Sequence, residues 1–246
     1  MNLIIDEGNT HIKYGVFEEG SNNEIAIYES DNYDAKEVAE IISKHGIKHA
    51  IYSSVRGGNG DLIADVSHSV DFIQLTHETE VPLINKYRTP NTLGMDRLAA
   101  CVGAYSIAGK DSNLLVIDIG TAITYDIVSK GEYLGGNIAP GMQMRLNALH
   151  TFTAKLPQVD INTEWKEIGD DTQTAIYSGC YSGILHEIEG SYRRLSKKYP
   201  KLLVFLTGGG AKYFESNVKI KIFAKENLLR IGLNRILNDK CQKEKS

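Results

Sequence analysis

Short apolar segments alternate along the chain with polar turns and with stretches of helical spacing. Residues 3–5 form a compact apolar run that ends at a polar cluster, after which Ile12, Tyr14 and Val16 occupy every second position. A short apolar run predicts a buried strand, and apolar alternation with period two predicts a strand with one buried face. The chain therefore opens with a predicted strand, a tight turn and a second strand.

The same unit returns near the middle of the chain. Residues 114–117 form an apolar run that leads into Asp-Ile-Gly-Thr (118–121), and alternation then resumes from Ile123 to Ile127. The first copy ends in Asp-Glu-Gly-Asn-Thr (6–10), so the two copies are related without being identical. Because each copy opens one half of the chain, the repeat predicts two similar lobes that face each other across a cleft.

The segments around these copies predict alternation of helices and strands. Helical spacing is found at 35–44, 95–107 and 172–198, and further strand-like runs are found at 49–53 and 201–205. The polar run at 109–113 is the predicted boundary between lobes. We therefore predict an N-terminal lobe at 1–110, with the first phosphate motif and an acceptor-site helix, and a C-terminal lobe at 111–246.

Composition narrows the classes of protein and partner. The 246 residues are 42% hydrophobic and 24% charged, which is typical of a soluble globular protein with enough length for two cores. A net charge of −4 gives no electrostatic footprint for nucleic acid, and no apolar stretch approaches the roughly 20 residues of a membrane span. The three cysteines lack Cys-x-x-Cys spacing, and no signal peptide is recognisable, so we expect a cytoplasmic protein.

The turn at 6–10 has the chemistry of a phosphate site. Gly8 lets the backbone approach an anion, while Asn9 and Thr10 offer side-chain donors to phosphate oxygens. Asp6 is a suitable oxygen ligand for Mg²⁺, directly or through water, and Lys13 adds positive charge nearby. The alternative is an ordinary hairpin turn, since Asp, Gly and Asn are common turn residues. Recurrence of carboxylate, glycine and hydroxyl in the second copy favours the phosphate site.

Two further segments are candidates for ligand binding. Thr-Gly-Gly (207–209) ends a predicted strand and would present bare backbone to a nucleoside. Asp96 and Arg97 stand in the first turn of the helix at 95–107, where free N–H groups, the helix dipole and a guanidinium attract a carboxylate. The commoner meaning of such a pair is a helix-stabilising acid beside a solvated arginine.

Together these motifs resemble the type III pantothenate kinases, within the superfamily of acetate and sugar kinases, Hsc70 and actin. The resemblance covers nearly the whole chain. The matching segments, in order, are Asp-x-Gly-Asn-Thr (6–10) with Lys13, Gly-x-Asp-Arg (94–97), Asp-x-Gly-Thr-Ala-x-Thr-x-Asp (118–126), Gly-Gly-x-x-x-Pro-Gly (135–141), Thr-Ala-Lys-Leu-Pro (153–157), Thr172 ahead of Ser-Gly (178–179), and Thr-Gly-Gly (207–209). Glu7 departs from the family pattern, which commonly has an apolar residue there.

The resemblance implies a fold and a reaction. The fold would be α/β, with two related actin-like (ribonuclease H-like) lobes, each a mixed β-sheet flanked by helices, and the active site in the cleft between them. The reaction would be ATP-dependent phosphorylation of pantothenate, the first step of coenzyme A biosynthesis, by a homodimer without nucleic-acid or membrane partners. The alternatives are an actin-like ATPase switch, or a kinase for a different small hydroxyl compound.

The resemblance also implies roles for individual residues. Asp96 would be the general base, and Asp118 would bind a monovalent cation, K⁺ or NH₄⁺. Thr172 would contact pantothenate from the second half of the chain. The remaining contacts would be, for ATP, Asp6, Glu7, Gly8, Asn9, Thr10, His11, Ile12, Lys13 and Thr121, and, for pantothenate, Tyr87, Gly94, Met95, Asp96 and Arg97.

Overall fold

The computed structural model describes residues 1–244 and contains two compact units. Unit 1 contains Met1–Asp111, Lys130–Leu134 and the residues from Asn227 onward, and unit 2 contains Ser112–Ser129 and Gly135–Glu226. The strands are β1 (Asn2–Glu7), β2 (Ile12–Phe17), β3 (Glu24–Ser30), β4 (His49–Ser54), β5 (Asp71–Gln74), β6 (Ile84–Asn85), β7 (Asn113–Ile119), β8 (Ala122–Ser129), β9 (Glu132–Pro140), β10 (Leu203–Thr207) and β11 (Phe223–Ala224). The α-helices are α1 (Ala35–His45), α2 (Gly60–Ser69), α3 (Met95–Ala108), α4 (Met142–Thr151), α5 (Thr172–Leu195) and α6 (Leu228–Glu244).

Unit 1 is built on a mixed sheet of order β3-β2-β1-β4-β5. β2 runs antiparallel to β1 and β3, whereas β4 runs parallel to β1 and β5. Side chains alternate between the two faces, as the period-two pattern predicts. On one face Leu3, Ile5 and Tyr14 are fully buried in a cluster with Val38 of α1 and Leu62 of α2.

The opposite face of this sheet packs against α6. Asn2 of β1 is fully buried, and its side-chain amide donates 2.9 Å to Oδ1 of Asn234 and 2.8 Å to Oδ1 of Asn238. Because side chains alternate along β1, Asp6 lies on the same face as Asn2, and Glu7 lies on the other. The strand therefore sends two neighbouring carboxylates into different surroundings.

Unit 2 repeats the strand order of unit 1. Five strands of a six-stranded sheet have the order β9-β8-β7-β10-β11, which matches β3-β2-β1-β4-β5 strand for strand, and β6 is the sixth strand, beside β9. β7 is antiparallel to β8 and parallel to β10, and β10 is parallel to β11, as in the corresponding pairs of unit 1. The internal repeat and the mixed α/β fold predicted from the sequence are thus confirmed. β6 pairs in parallel with Glu132 and Tyr133, which belong to unit 1.

Helix α6 joins unit 1 because its backbone lies against that of α3. A Cβ added to Gly103 would overlap the carbonyl oxygen of Leu228, and one added to Gly232 would overlap that of Ala99. Only glycine at both positions allows the backbones of α3 and α6 to come this close.

The compact units therefore divide the chain differently from the predicted lobes, since residues from Asn227 onward and Lys130–Leu134 join the first unit. The lobe boundary between residues 110 and 111 remains a prediction. Lys245 and Ser246, which the predicted second lobe includes, lie outside the described residues.

Candidate functional site

The β1–β2 turn of unit 1 presents the predicted phosphate motif at the surface. Asn9 and Thr10 are exposed, and the Gly8 N–H donates to the carbonyl oxygen of His11 at 3.0 Å, which closes the turn. Asp6 pairs with Lys13 in the β1–β2 register, so their side chains share one face of the sheet. The turn therefore combines exposed donors, a lysine and a carboxylate, which are the groups that a metal-bound phosphate requires.

Three charged groups, of which Arg230 is buried, act on Asp6. The pKa of Asp6 is raised to about 6, chiefly by burial; Arg230 opposes this shift, Asp96 adds to it, and Lys13 opposes it. Asp96, which the sequence predicts to act on the other substrate, is therefore near enough within unit 1 to raise the pKa of Asp6. Arg230 was not predicted, and it is the strongest of the charged groups that act on Asp6.

Glu7 has a different environment from Asp6. Its side chain is buried at 5% exposure and accepts a hydrogen bond from the hydroxyl of Tyr52, which in turn accepts from the backbone N–H of Asn59 at 2.8 Å. Burial, followed by the bond to Glu7, raises the pKa of Tyr52 to about 12, so its hydroxyl keeps its proton. Because Glu7 is held on the opposite face of the sheet from Asp6, the structure does not bring these two side chains together.

The start of α3 gathers most of the predicted acceptor residues. Gly94 is the N-cap, and a Cβ there would overlap Oδ1 of Asp96, so glycine leaves room for that carboxylate. Arg97 is buried, and its guanidinium carbon lies 5.8 Å from the centre of the Tyr87 ring. Met95, between Gly94 and Asp96, is partly buried. The structure therefore brings the tyrosine and the arginine together beside the predicted base.

The corresponding turn of unit 2 lies between β7 and β8. The Gly120 N–H donates to the carbonyl oxygen of Ala122 at 3.0 Å, so this turn is closed as in unit 1 with one residue fewer. Asp118 contacts Gly208, whose φ of 88° and lack of a Cβ admit the carboxylate. The Gly210 N–H donates to the carbonyl oxygen of Ile119 at 2.9 Å. The predicted cation ligand and the predicted nucleoside segment are therefore neighbours within unit 2.

A small cavity of about 240 Å³ opens in unit 2 beside this turn. Its wall includes Thr121, as the sequence predicts for an ATP contact, and the glycines after β10. Those glycines are Gly209 and Gly210, and the other lining residues are Ile119, Gly120, Met142, Gln143, Ile161, Tyr177, Tyr181, Tyr213 and Phe214. A pocket with apolar walls and bare backbone at its mouth suits the flat face of a ligand.

Thr172 is the first residue of α5 and is exposed. The preceding Asp171 caps the helix, because its side chain accepts from the backbone N–H of Thr174 at 2.9 Å. Thr172 lines an open cavity of about 720 Å³ in unit 2 together with Arg145 and Gly179. Arg145 is itself engaged with both carboxylate oxygens of Glu187, each at 2.7 Å.

Among the side chains that the structure describes, no three from His, Cys, Asp or Glu form a group that could hold a metal ion on their own. A metal at Asp6 or Asp118 would therefore need ligands from substrate, water or the backbone as well. None of the helices in the described part of the chain has the length and apolar character to cross a bilayer.

Comparison with known proteins identifies the family. The model of the type III pantothenate kinase family matches residues 2–194 of this chain. A type III pantothenate kinase from Bacteroides fragilis is 45% identical over 241 residues, which cover 97% of this chain and 98% of that protein. These matches extend over both units.

Solved structures show the same fold at lower identity. Lmo2764 from Listeria monocytogenes, proposed to be an N-acetylmannosamine kinase, is 14% identical with a TM-score of 0.52 and coverage of 99% of both chains. A Campylobacter jejuni protein, proposed to be a Baf family transcriptional activator, is 23% identical with a TM-score of 0.59, covering 98% of this chain and 99% of that one. The chain therefore shares its fold with these two proteins, and the sequence matches establish that it belongs to the type III pantothenate kinase family.

Proposed function

We propose that this chain transfers the γ-phosphoryl group of ATP to the primary hydroxyl of pantothenate, with Asp96 as the general base. ATP-dependent phosphorylation of pantothenate, the first step toward coenzyme A, is the activity of the family to which the chain belongs. The observation that carries the assignment of residues is that Asp96 lies within electrostatic range of Asp6 in unit 1. A base for the acceptor and a carboxylate for the donor phosphates have to meet at one reacting centre.

The start of α3 would bind the acceptor. Pantothenate has a carboxylate at one end and a primary hydroxyl at the other, and it would contact Tyr87, Gly94, Met95, Asp96 and Arg97. Arg97 is the group suited to the carboxylate, because its guanidinium offers a planar fork of donors. Asp96 would accept the hydroxyl proton as the oxygen attacks phosphorus, which is the role of a positioned general base.

The β1–β2 turn would hold the phosphates of ATP. Backbone N–H groups from Gly8 onward, the side chains of Asn9 and Thr10, and the ammonium of Lys13 would neutralise and orient them. His11 and Ile12 would contribute through the backbone of the same turn. Asp6 suits Mg²⁺, since it is a carboxylate at the base of an exposed turn, and the ion would supply positive charge to the phosphates. Glu7 would act only indirectly, through its bond to Tyr52.

Unit 2 would contribute Thr121, Asp118, Thr172 and the glycines after β10. Thr121 lines the small cavity and would contact ATP, and the glycines after β10 would face the nucleoside. Asp118 suits a monovalent cation, K⁺ or NH₄⁺, because its carboxylate lies beside Gly208 and close to the carbonyl oxygen of Ile119. Thr172, exposed at the start of α5, would contact pantothenate.

The protein would act as a cytoplasmic homodimer. Large apolar side chains are exposed on unit 2, among them Phe152 at 85%, Ile168 at 84% and Ile138 at 64%. On α5, Gly179 and Gly190 have no neighbouring atoms within 4 Å of a Cβ added to them, so the helix surface there is open. A second copy of the chain would cover such apolar and glycine-lined surfaces.

The test is a product assay with a panel of acceptors. Purified protein, ATP and Mg²⁺ are incubated with pantothenate, with other small hydroxyl compounds, or without acceptor, and products are identified by mass spectrometry. We expect one phosphate on pantothenate and little ATP hydrolysis without it. Equal ATP hydrolysis with and without acceptor would indicate an ATPase switch, and phosphorylation of another compound alone would assign a different substrate.

A matched pair of variants tests the base. Asp96 and Asp61 are both the second residue of a helix, α3 and α2 respectively, and Asp61 is exposed. Both Asp→Asn changes remove an acid from a helix start, so both would lower helix stability slightly. Only Asp96→Asn is expected to slow phosphopantothenate formation by about 10²-fold or more.

A further inference from the structure

A buried ion pair occupies the face of the unit 1 sheet on which Asp6 lies. Arg230 of α6 donates through Nε and Nη2 to the two oxygens of Glu24 of β3, with Nη2 to Oε2 at 3.2 Å. Asn227 donates to the same carboxylate at 2.8 Å. Only 6% of the arginine side chain and 13% of the glutamate side chain are exposed. The guanidinium is therefore held by two hydrogen bonds, and the carboxylate that accepts them is held by a third, from Asn227.

Gly15 of β2 makes the space for this pair. A Cβ at Gly15 would lie 3.1 Å from Cδ of Arg230 and 2.6 Å from Oε1 of Glu24, so any larger residue would displace both. In the β1–β2 register Gly15 is two residues from Lys13, which pairs with Asp6. Residues two apart on a strand share a face, so Arg230 lies over the sheet next to the base of the phosphate turn.

The charges around Asp6 indicate what this pair does. Asp96 repels the Asp6 carboxylate, whereas Arg230 and Lys13 attract it, and Arg230 has the larger effect of the two. Lys13 is partly exposed and lies 3.9 Å from Glu29, so its charge is shared with solvent and with another acid. Arg230 is the attracting group that is buried and held rigidly. A fixed guanidinium in a low-dielectric region orients a nearby carboxylate more strongly than a mobile ammonium does.

We infer that Arg230, locked by Glu24 and Asn227, is a positioning residue that holds the carboxylate of Asp6 where magnesium-bound ATP needs it. The inference rests on the proposed function, and it adds residues that no motif of the family resemblance includes. Arg230 contacts neither substrate in this scheme. It acts through Asp6, against the repulsion from Asp96, so its loss should affect the nucleotide more than pantothenate.

The experiment separates positioning from stability. Arg230→Met alone would leave Glu24 buried without its partner, which is strongly destabilising, so the informative variant is the double change Glu24→Leu with Arg230→Met. Replacing a buried pair by apolar residues of similar size is often neutral for stability. Arg235→Met is the matched control, because Arg235 lies on the same helix in a more exposed pair with Asp239. Arg230→Lys tests rescue by charge alone.

We expect the double variant to unfold at a denaturant concentration close to that of the wild type. Its KM for magnesium–ATP should rise about tenfold or more, with the KM for pantothenate changed less than about twofold, because small displacements of a positioned group have large effects. Arg235→Met should leave both constants unchanged. Arg230→Lys should raise the KM for magnesium–ATP less than the double variant does, since lysine keeps the positive charge but lacks the planar fork of donors.

Three results would overturn the inference. The first is a folded double variant whose KM for magnesium–ATP equals that of the wild type. The second is an equal rise in the KM values for magnesium–ATP and for pantothenate. The third is a double variant that does not fold. Either of these two results would indicate a structural role for the pair. Calorimetry with a non-hydrolysable ATP analogue and Mg²⁺ measures the affinity for the nucleotide in the absence of pantothenate. Wild type that binds the analogue but makes no phosphopantothenate would contradict the proposed function, not the role of Arg230.

Discussion

Replacing Asp6 by Asn should stabilise the metal-free protein, although it removes a residue proposed to serve catalysis. Burial raises the pKa of this carboxyl from 3.8 to about 6, with Asp96 adding to the effect and Arg230 and Lys13 opposing it. The folded protein therefore holds the neutral acid more easily than the carboxylate, while the unfolded chain ionises near the ordinary value. An asparagine resembles the neutral acid at every pH.

The size and sign of the effect follow from proton linkage. A raised carboxyl pKa means that the folded state binds more protons between pH 3.8 and about 6, so the stability of the wild type falls as pH rises through this window. About two pKa units correspond to roughly 3 kcal/mol as an upper limit. Because Asp6 is partly exposed, we expect Asp6→Asn to gain about 1–3 kcal/mol above pH about 6, and almost nothing near pH 4.

Urea unfolding of both proteins between pH 4 and pH 8, in chelator and without nucleotide, measures this difference. The control is Asp111→Asn, because Asp111 is exposed and should show no stability gain that grows with pH. A variant with wild-type stability at pH 8 would refute the argument, as would one that is less stable at every pH. The same variant should need more Mg²⁺ for half-maximal activity, which a magnesium titration checks.

Four further predictions concern other residues. Asp96→Asn should lower kcat by about 10²–10⁴-fold while calorimetry still detects pantothenate binding, and a near-normal kcat would contradict the base assignment. Asp118→Asn should weaken activation by K⁺ or NH₄⁺, so equal wild-type rates in sodium and potassium buffers would exclude a cation there. Thr172→Ala should raise the KM for pantothenate and leave that for ATP nearly unchanged in steady-state assays. Gly232→Ala should lower the free energy of unfolding by about 1–3 kcal/mol or more, since its Cβ would overlap the backbone of α3.

The sequence predicted those features whose signals are local. The starts of α1 at Ala35 and of α5 at Thr172 follow from helical spacing, and the structure adds Asp34 and Asp171 as the residues that cap them. The repeat of apolar run, carboxylate and glycine predicted two related sheets because a buried strand and its turn leave a strong local pattern. The pattern did not predict α2, whose Asn59 cap follows a glycine-rich stretch.

The Arg230–Glu24 pair could not be predicted in this way. The two residues are 206 positions apart, and they meet only because α6 packs on the sheet of unit 1. A charged residue on a C-terminal helix is ordinarily solvated, so its type indicates nothing by itself. The one local signal is Gly15, since glycine inside a strand often marks the close approach of another group. Glu7 is similar, because its partner Tyr52 is recognisable only from the pairing of β1 with β4.

The packing of α6 on unit 1 has a consequence for synthesis on the ribosome. Both segments of unit 2 precede Asn227 in the chain, so all of unit 2 is translated before α6 exists. Until then Asn2 lacks its hydrogen-bond partners on α6, and Glu24 has no guanidinium beside it. Unit 1, whose first residues are translated first, is therefore completed after unit 2. A nascent chain stalled at residue 226 should expose the sheet face of unit 1 to proteases and chaperones, whereas the strands of unit 2 are already complete.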